Sequence, residues 1–197
     1  MLTVNRTILV LLAAGRSERF GDVGSKLEEK FLGRPLGLHV AVALEKLPFQ
    51  ERIVVTGRAA IGYGALGYRT MPNPTPAAGI ASSVRIGVGC AQAQGADAVL
   101  IALADMPRVT AAHVLRLFDA ARNGDTVVAS SDGTDPKPPV LFGRDRFDFL
   151  LALEGDAGAR DLVRGGRHVV TSPAELIDVD TPEEMAALKA LVRPARP

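Results

Sequence analysis

Two short runs, Ile8-Leu9-Val10-Leu11-Leu12-Ala13-Ala14 and Ala98-Val99-Leu100-Ile101-Ala102-Leu103-Ala104, contain no polar side chain. Each falls far short of the about 18 apolar residues that a membrane span needs. Uninterrupted apolar runs of this length fit strands buried on both faces, the condition of a mostly parallel sheet covered by helices. Similar runs alternate with helical patterns along nearly the whole chain, the mark of βα units. Strands are predicted at residues 7–13, 52–56, 98–104 and 126–130, with shorter ones near Tyr68 and at 140–142 and 169–170. Helices are predicted at 36–47, 81–94 and 110–122, the last with Thr110 as N-cap. Thr181-Pro182-Glu183-Glu184 opens a final helix with a capping box and Pro at its first position, and Met185, Leu188 and Val192 form its buried stripe. The expected fold is α/β, a three-layer α/β/α arrangement around a mostly parallel, Rossmann-like sheet. With no repeat, low-complexity tract or linker, residues 1–197 read as a single domain.

Charge and cysteine content narrow the partners. Lys and Arg number 23 against 22 Asp and Glu, a net charge of +1, so no global field draws nucleic acid or a membrane surface. One cysteine, Cys90, excludes an intrachain disulfide framework and suits a reducing cytoplasm. The absence of Trp argues against stacking platforms for single-stranded bases. Arg6 ahead of the first apolar run resembles a short secretory signal. A first buried strand explains the run as well, and the cytoplasmic reading follows from what that strand presents.

That strand leads into Leu12-Ala13-Ala14-Gly15-Arg16-Ser17-Glu18-Arg19-Phe20-Gly21, continuing to Lys26-Leu27. Open α/β sheets place ligands at the carboxyl ends of their strands. Small residues there let backbone N–H groups approach phosphate oxygens, and Arg16, Arg19 and Lys26 offer charge and forked donors to a polyphosphate. Gly24-Ser25-Lys26 lacks the Walker A order, and a solvated basic turn is the plainer alternative. Asp105, at the end of the second apolar run and followed by Met106-Pro107, suits a hydrated Mg²⁺ ion or a turn cap. Alternation along a strand would put Asp178 and Asp180 on one side, where they could complete a metal site with Asp105 or merely favour the dipole of the following helix. Together these three features suggest a metal-bound nucleoside triphosphate site.

In these motifs the chain resembles the molybdenum cofactor nucleotidyltransferases, MobA-like NTP transferases, and more closely their cytidylyltransferase branch. Leu12 to Gly21 with Lys26-Leu27 and Gly33-Arg34-Pro35-Leu36 is similar to the family's nucleotide signature, and Asn73 with Gly79-Ile80-Ala81-Ser82-Ser83 to its second nucleotide motif. Asp105-Met106-Pro107 resembles the metal-binding turn, and Asp178-Val179-Asp180-Thr181-Pro182 the closing motif. Pro139-Val140-Leu141-Phe142 and the run Gly155-Asp156-Ala157-Gly158-Ala159-Arg160 resemble the block associated with the pterin substrate. Ala14 and Gly79 to Ser83 follow the CTP-using pattern. Lys137-Pro138 departs from it, since the family usually has Gly and His or Asn before Pro139.

The resemblance implies a nucleotide-diphospho-sugar transferase-like fold and Mg²⁺-dependent transfer of CMP from CTP to molybdopterin with release of pyrophosphate. It implies catalytic roles for Arg16, Lys26 and Asp105, and metal ligation by Asp105 with Asp180 or Asp178. Leu12, Ala13, Ala14, Gly15, Arg16, Arg19, Lys26, Asn73, Gly79, Ser82 and Ser83 would bind nucleotide, and Pro139, Gly155, Asp156 and Arg160 the acceptor. A molybdoenzyme would receive the product. Guanylyl transfer from GTP, another small phosphorylated acceptor, a nucleotide-sugar glycosyltransferase and a non-catalytic cofactor carrier are the competing readings. Asp156 and Arg160 equally fit a structural i,i+4 pair. Gly62-Tyr63-Gly64-Ala65-Leu66-Gly67 matches a dinucleotide fingerprint without its strand and helix context, and His39, His113 and His168 read as packing or surface residues.

Overall fold

The computed structural model describes residues 1–15, 25–155 and 159–192. The first apolar run forms β1 (Thr7–Ala13), all seven residues of which are buried. A two-stranded hairpin follows, β2 (Lys30–Phe31) and β3 (Arg34–Pro35), then α1 (Leu38–Leu44), β4 (Glu51–Thr56) and β5 (Arg69–Pro72). Next come α2 (Ile80–Ala93), β6 (Ala98–Leu103), α3 (Ala111–Ala120), β7 (Val127–Ser131) and β8 (Pro136–Gly143). The chain ends with α4 (Phe147–Leu151), α5 (Arg160–Arg164), β9 (Arg167–Val170) and α6 (Pro182–Leu191).

Seven strands form one sheet in the order β5-β4-β1-β6-β8-β7-β9. β8 alone among the described strands of this sheet runs against its neighbours, pairing antiparallel with both β6 and β7. The apolar run of β1 thus lies mid-sheet, with Leu11 opposite Val54 on one side and Ala102 on the other. Leu9, Leu11 and Ala13 meet Val40, Leu44, Val114 and Leu117 of α1 and α3. Ile8, Val10 and Leu12 face the other way, against Val84 and Val88 of α2 and Leu150 of α4. Period-2 alternation serves both helix layers, which is why no polar residue is tolerated along β1.

The structure departs from the sequence-based expectations at three places. Residues 177–180 form an extended segment outside the sheet instead of a strand; Val179 is fully buried in a small cluster with Phe31, Leu36, Met185 and Leu188. β8 is longer than the predicted 140–142 and begins in Pro136-Lys137-Pro138-Pro139, a stretch whose prolines, lacking an N–H, argue against an ordinary central strand. Ala129 pairs with Val140, whereas Ser130 pairs with Lys137, so Pro138 and Pro139 stand outside the ladder as a bulge. Finally, α4 and α5, five residues each, are too short to show a helical period in sequence.

The sheet and α2 meet closely at Gly87, where an added Cβ would lie 2.3 Å from Val10 Cγ1. Val10 is fully buried and β-branched, so it cannot turn aside. Gly87→Ala is therefore expected to destabilise the fold by about 2 kcal/mol net of its better helix propensity, a fall of roughly 4–8 °C in thermal midpoint for a chain this size. A midpoint at or above that of the parent chain would show that α2 is not held this tightly.

Candidate active site

The carboxyl ends of β1, β4 and β6 meet at one edge of the sheet. Gly57 N–H donates to Ala13 O at 3.3 Å, and a Cβ at Gly57 would come within 3.2 Å of Ala14 Cα, so this glycine lets the turn after β4 lie against the start of the loop after β1. Beside it opens a cavity of about 240 Å³ lined by residues including Leu12, Ala14, Gly15, Gly79, Ser83 and Asp105. Parts of the expected first nucleotide motif, of the second and of the metal-binding turn thus line one cavity. Arg16 and Arg19 lie outside the described residues.

The far wall is the start of α2. Gly79 is its N-cap, with φ of 80°, a conformation that favours glycine. Asn73, buried at the end of β5, has each side-chain polar atom engaged within the protein. Its Nδ2 donates to Ser82 Oγ at 2.8 Å and Ser83 Oγ at 2.9 Å, and its Oδ1 accepts from Thr75 N at 2.9 Å. Ser82 Oγ donates to Gly79 O at 2.7 Å. Asn73 and Ser82 therefore shape the wall from behind, and Ser83 is the member of the trio that lines the cavity. Gly155 O accepts from Ala81 N at 3.2 Å, which brings this residue of the expected acceptor block against the same helix end. Arg160 opens α5 on the surface, and Asp156 lies outside the described residues.

A cluster of charge closes the site. Lys26 Nζ donates to Asp105 Oδ2 at 2.7 Å and to Asp180 Oδ1 at 2.5 Å. Lys26 begins a short 3₁₀ turn fixed by a capping box between Ser25 and Glu28. Asp105 caps the buried β6 run, and its backbone carbonyl accepts from Val179 N at 3.0 Å. Asp180 is held by the entry to α6, where Glu184 accepts from the backbone N–H groups of Asp180 and Thr181 at 2.7 and 2.9 Å. Buried Val179 thus anchors the segment between the two aspartates, and Asp178 is exposed. The Lys26 side chain is 8% exposed. Burial pushes its pKa down, but the two carboxylates outweigh this and hold the ammonium above its ordinary value. Burial pushes the Asp105 carboxyl above the usual carboxylate range; Lys26 opposes this, while Asp180 and Asp178 add to it.

Asp105 Oδ1 is buried and has no hydrogen-bond partner. Lone pairs of that kind are costly unless something occupies them, and an all-oxygen donor pair beside a phosphate-sized cavity fits a hard divalent cation. Among the described residues no group of three or more His, Cys, Asp and Glu gathers into a metal cluster; Asp105 and Asp180 are two carboxylates that meet at Lys26.

This sheet, packed on both faces by helices, with Gly15, the start of α2 and a carboxylate pair at one strand edge, is that of a nucleotidyltransferase, as the family match shows. Residues 9–172 match the MobA-like NTP transferase domain, and the chain belongs to that family. It is 31% identical to purine catabolism protein PucB of Bacillus subtilis over 192 residues, covering 89% of this chain and 92% of that one. The fold is similar to the crystal structure of an rv0371c homologue from Mycobacterium sp. strain JC1, with a TM-score of 0.80, 25% identity and coverage of 96% and 98% of the two chains. Rv0371c of Mycobacterium tuberculosis in complex with manganese aligns with a TM-score of 0.70 at 26% identity over 94% of this chain and 99% of that one. No described helix is long and apolar enough to cross a membrane.

Asn73→Ala is expected to lower stability by about 1–3 kcal/mol, because Thr75 N–H loses its acceptor and two buried hydroxyls lose a donor. Urea unfolding measures this as a lower midpoint at an unchanged slope. An unchanged midpoint would mean that the trio is not held by Asn73.

Proposed function

We propose that the chain transfers CMP from CTP to a phosphorylated pterin of the molybdopterin class, releasing pyrophosphate in the cytoplasm, and that residues 1–197 act as one domain. The observation that carries this reading is the shared cavity of Gly15, Gly79, Ser83 and Asp105 beside the Lys26 bridge. The triphosphate would lie against Gly15, where no Cβ would keep phosphate oxygens from the backbone. Ser83 accepts from Asn73, and its own hydroxyl proton remains to be donated into the cavity. Lys26 would neutralise charge that builds on the phosphates as the bond from the α-phosphorus to its bridging oxygen breaks, with Arg16 and Arg19 as further cations. The acceptor's phosphate oxygen forms the new bond to the α-phosphorus in line. Because a phosphate monoester is already anionic near neutral pH, the protein's work is positioning and charge neutralisation, without a strong base.

Asp105 and Asp180, with Asp178 close by, would hold a divalent cation, which we take to be Mg²⁺. When bound, that cation would supply charge neutralisation to the phosphates. Asp105 Oδ1 is the oxygen left for it, since Oδ2 is engaged by Lys26. Manganese in the structure of Rv0371c supports a divalent ion in this fold. Ala14 and the Gly79 to Ser83 segment support CTP over GTP, and Gly155 close to α2 supports an acceptor near the nucleotide. A molybdoenzyme would then take the finished cofactor.

Asp105→Asn keeps the shape and removes the charge. It is expected to lower acceptor-dependent pyrophosphate release by at least about a hundredfold, the scale of losing one group that stabilises transition-state charge. An unchanged rate sinks the metal assignment. A panel of nucleoside triphosphates assayed with and without molybdopterin tests the substrates: release with CTP and acceptor together is expected. Release with GTP alone among the triphosphates would overturn the base, and acceptor-independent turnover would overturn the pterin.

A further inference from the structure

His113 stands on α3 beneath the sheet, 2% exposed, away from the charged site. Its Nε2 lies 2.8 Å from Ser130 Oγ, and Ser130 Oγ lies 2.8 Å from the carbonyl oxygen of Pro139. The direction of this chain is fixed by chemistry. A carbonyl only accepts, so the Ser130 hydroxyl donates to Pro139; its oxygen then accepts, and His113 Nε2 carries the proton. The ring is therefore the neutral Nε2–H tautomer with a bare Nδ1, consistent with Nδ1 being buried without a partner. Burial lowers the imidazole pKa; Glu175 pulls it up and Arg116 pushes it down.

Pro139 is one of the two residues that the β7–β8 ladder omits. The β6–β8 ladder ends at Ile101 opposite Val140, so the bulge stands beside the last residues of β6, immediately before Asp105. At this point of the sheet the Ser130 hydroxyl donates to the Pro139 carbonyl, tying the bulge to β7 through a side chain. Lys137, which follows in register opposite Ser130, is paired with Asp132 at 2.9 Å on the same rim.

We propose that His113 and Ser130 are positioning residues for the acceptor, holding through the Pro139 carbonyl the bulge that forms the acceptor-side wall of the site. This inference rests on the acceptor reading given above. Neither side chain touches substrate; each acts through the backbone of residues 137–139.

Ser130→Ala and His113→Leu test it, with His113→Gln as the variant that keeps an N–H donor and thermal unfolding as the check on folding. KM for molybdopterin is expected to rise about tenfold in the first two, while KM for CTP stays within about twofold; the double variant should be no worse than either single one, and Gln should recover most of the loss. Amide exchange read without acceptor is expected to speed at Lys137 and Val140 in Ser130→Ala, with β1 unchanged. Equal rises in both KM values, additive losses or unchanged exchange overturn the inference. Absence of turnover with any phosphorylated acceptor overturns the acceptor reading instead, and the exchange measurement, which needs no acceptor, still decides the role of the pair.

Discussion

One ammonium group ties together parts of the chain 79 and 154 residues apart: Lys26 with Asp105 and Asp180. Each ion withdrawn from water carries a penalty of several kcal/mol, so a lysine that is 8% exposed is tolerable only with its charge matched at short range. Lys26 thereby gathers carboxylate oxygens from two remote segments at one strand edge, the kind of oxygen set that a hard cation or a cation-bound polyphosphate would need. The Val179 N–H to Asp105 carbonyl bond and the Thr181–Glu184 capping box then keep the closing segment from drifting.

The reversed strand gives the site two unlike halves. In β1, β4 and β6 the site edge is where strands end, and the loops leaving them begin with small residues that bring backbone close to the cavity. In β8 the same edge is where the strand begins, because it runs the other way. A strand entering the sheet can carry a bulge at that point without disturbing the ladder deeper in, which resumes at Val140. The stretch can thus accommodate a sequence such as Lys137-Pro138 without altering the ladder from Val140 onward.

Much of this was legible in sequence because apolar runs buried on both faces admit few alternatives. Residues 7–13 and 98–104 became adjacent central strands, and the Gly15 and Asp105 motifs at their ends came to share a cavity. The start of β8 was illegible since its three prolines negate strand signals that only the bulge reconciles. Asp178 and Asp180 alternate as in a strand, yet what orients them is one buried valine between aspartates in a segment with no sheet partner. Asn73 lies in a nucleotide motif, but its side chain spends its hydrogen bonds inside the protein, a role that residue type alone does not separate from ligand contact. His113 reads as a packing residue, and only its neighbours Ser130 and Pro139, remote in sequence, give it direction.

Two buried polar networks flank the cavity, Asn73 with Ser82 and Ser83 on the nucleotide side, and His113 with Ser130 and Pro139 on the other. In both places apolar side chains would pack at less cost, for an unpartnered buried nitrogen such as His113 Nδ1 forfeits about 1–3 kcal/mol. Apolar contacts are non-directional, however, and would let a helix start or a bulge settle in several nearby positions. Hydrogen bonds of defined direction remove that freedom. Each network ends on a backbone carbonyl, Gly79 O at the start of α2, which also accepts from Ser82 N, and Pro139 O in β8. The fold thus gives up stability where its regular bonding stops, at the two walls that must keep a fixed distance if an acceptor oxygen is to meet a phosphorus in line.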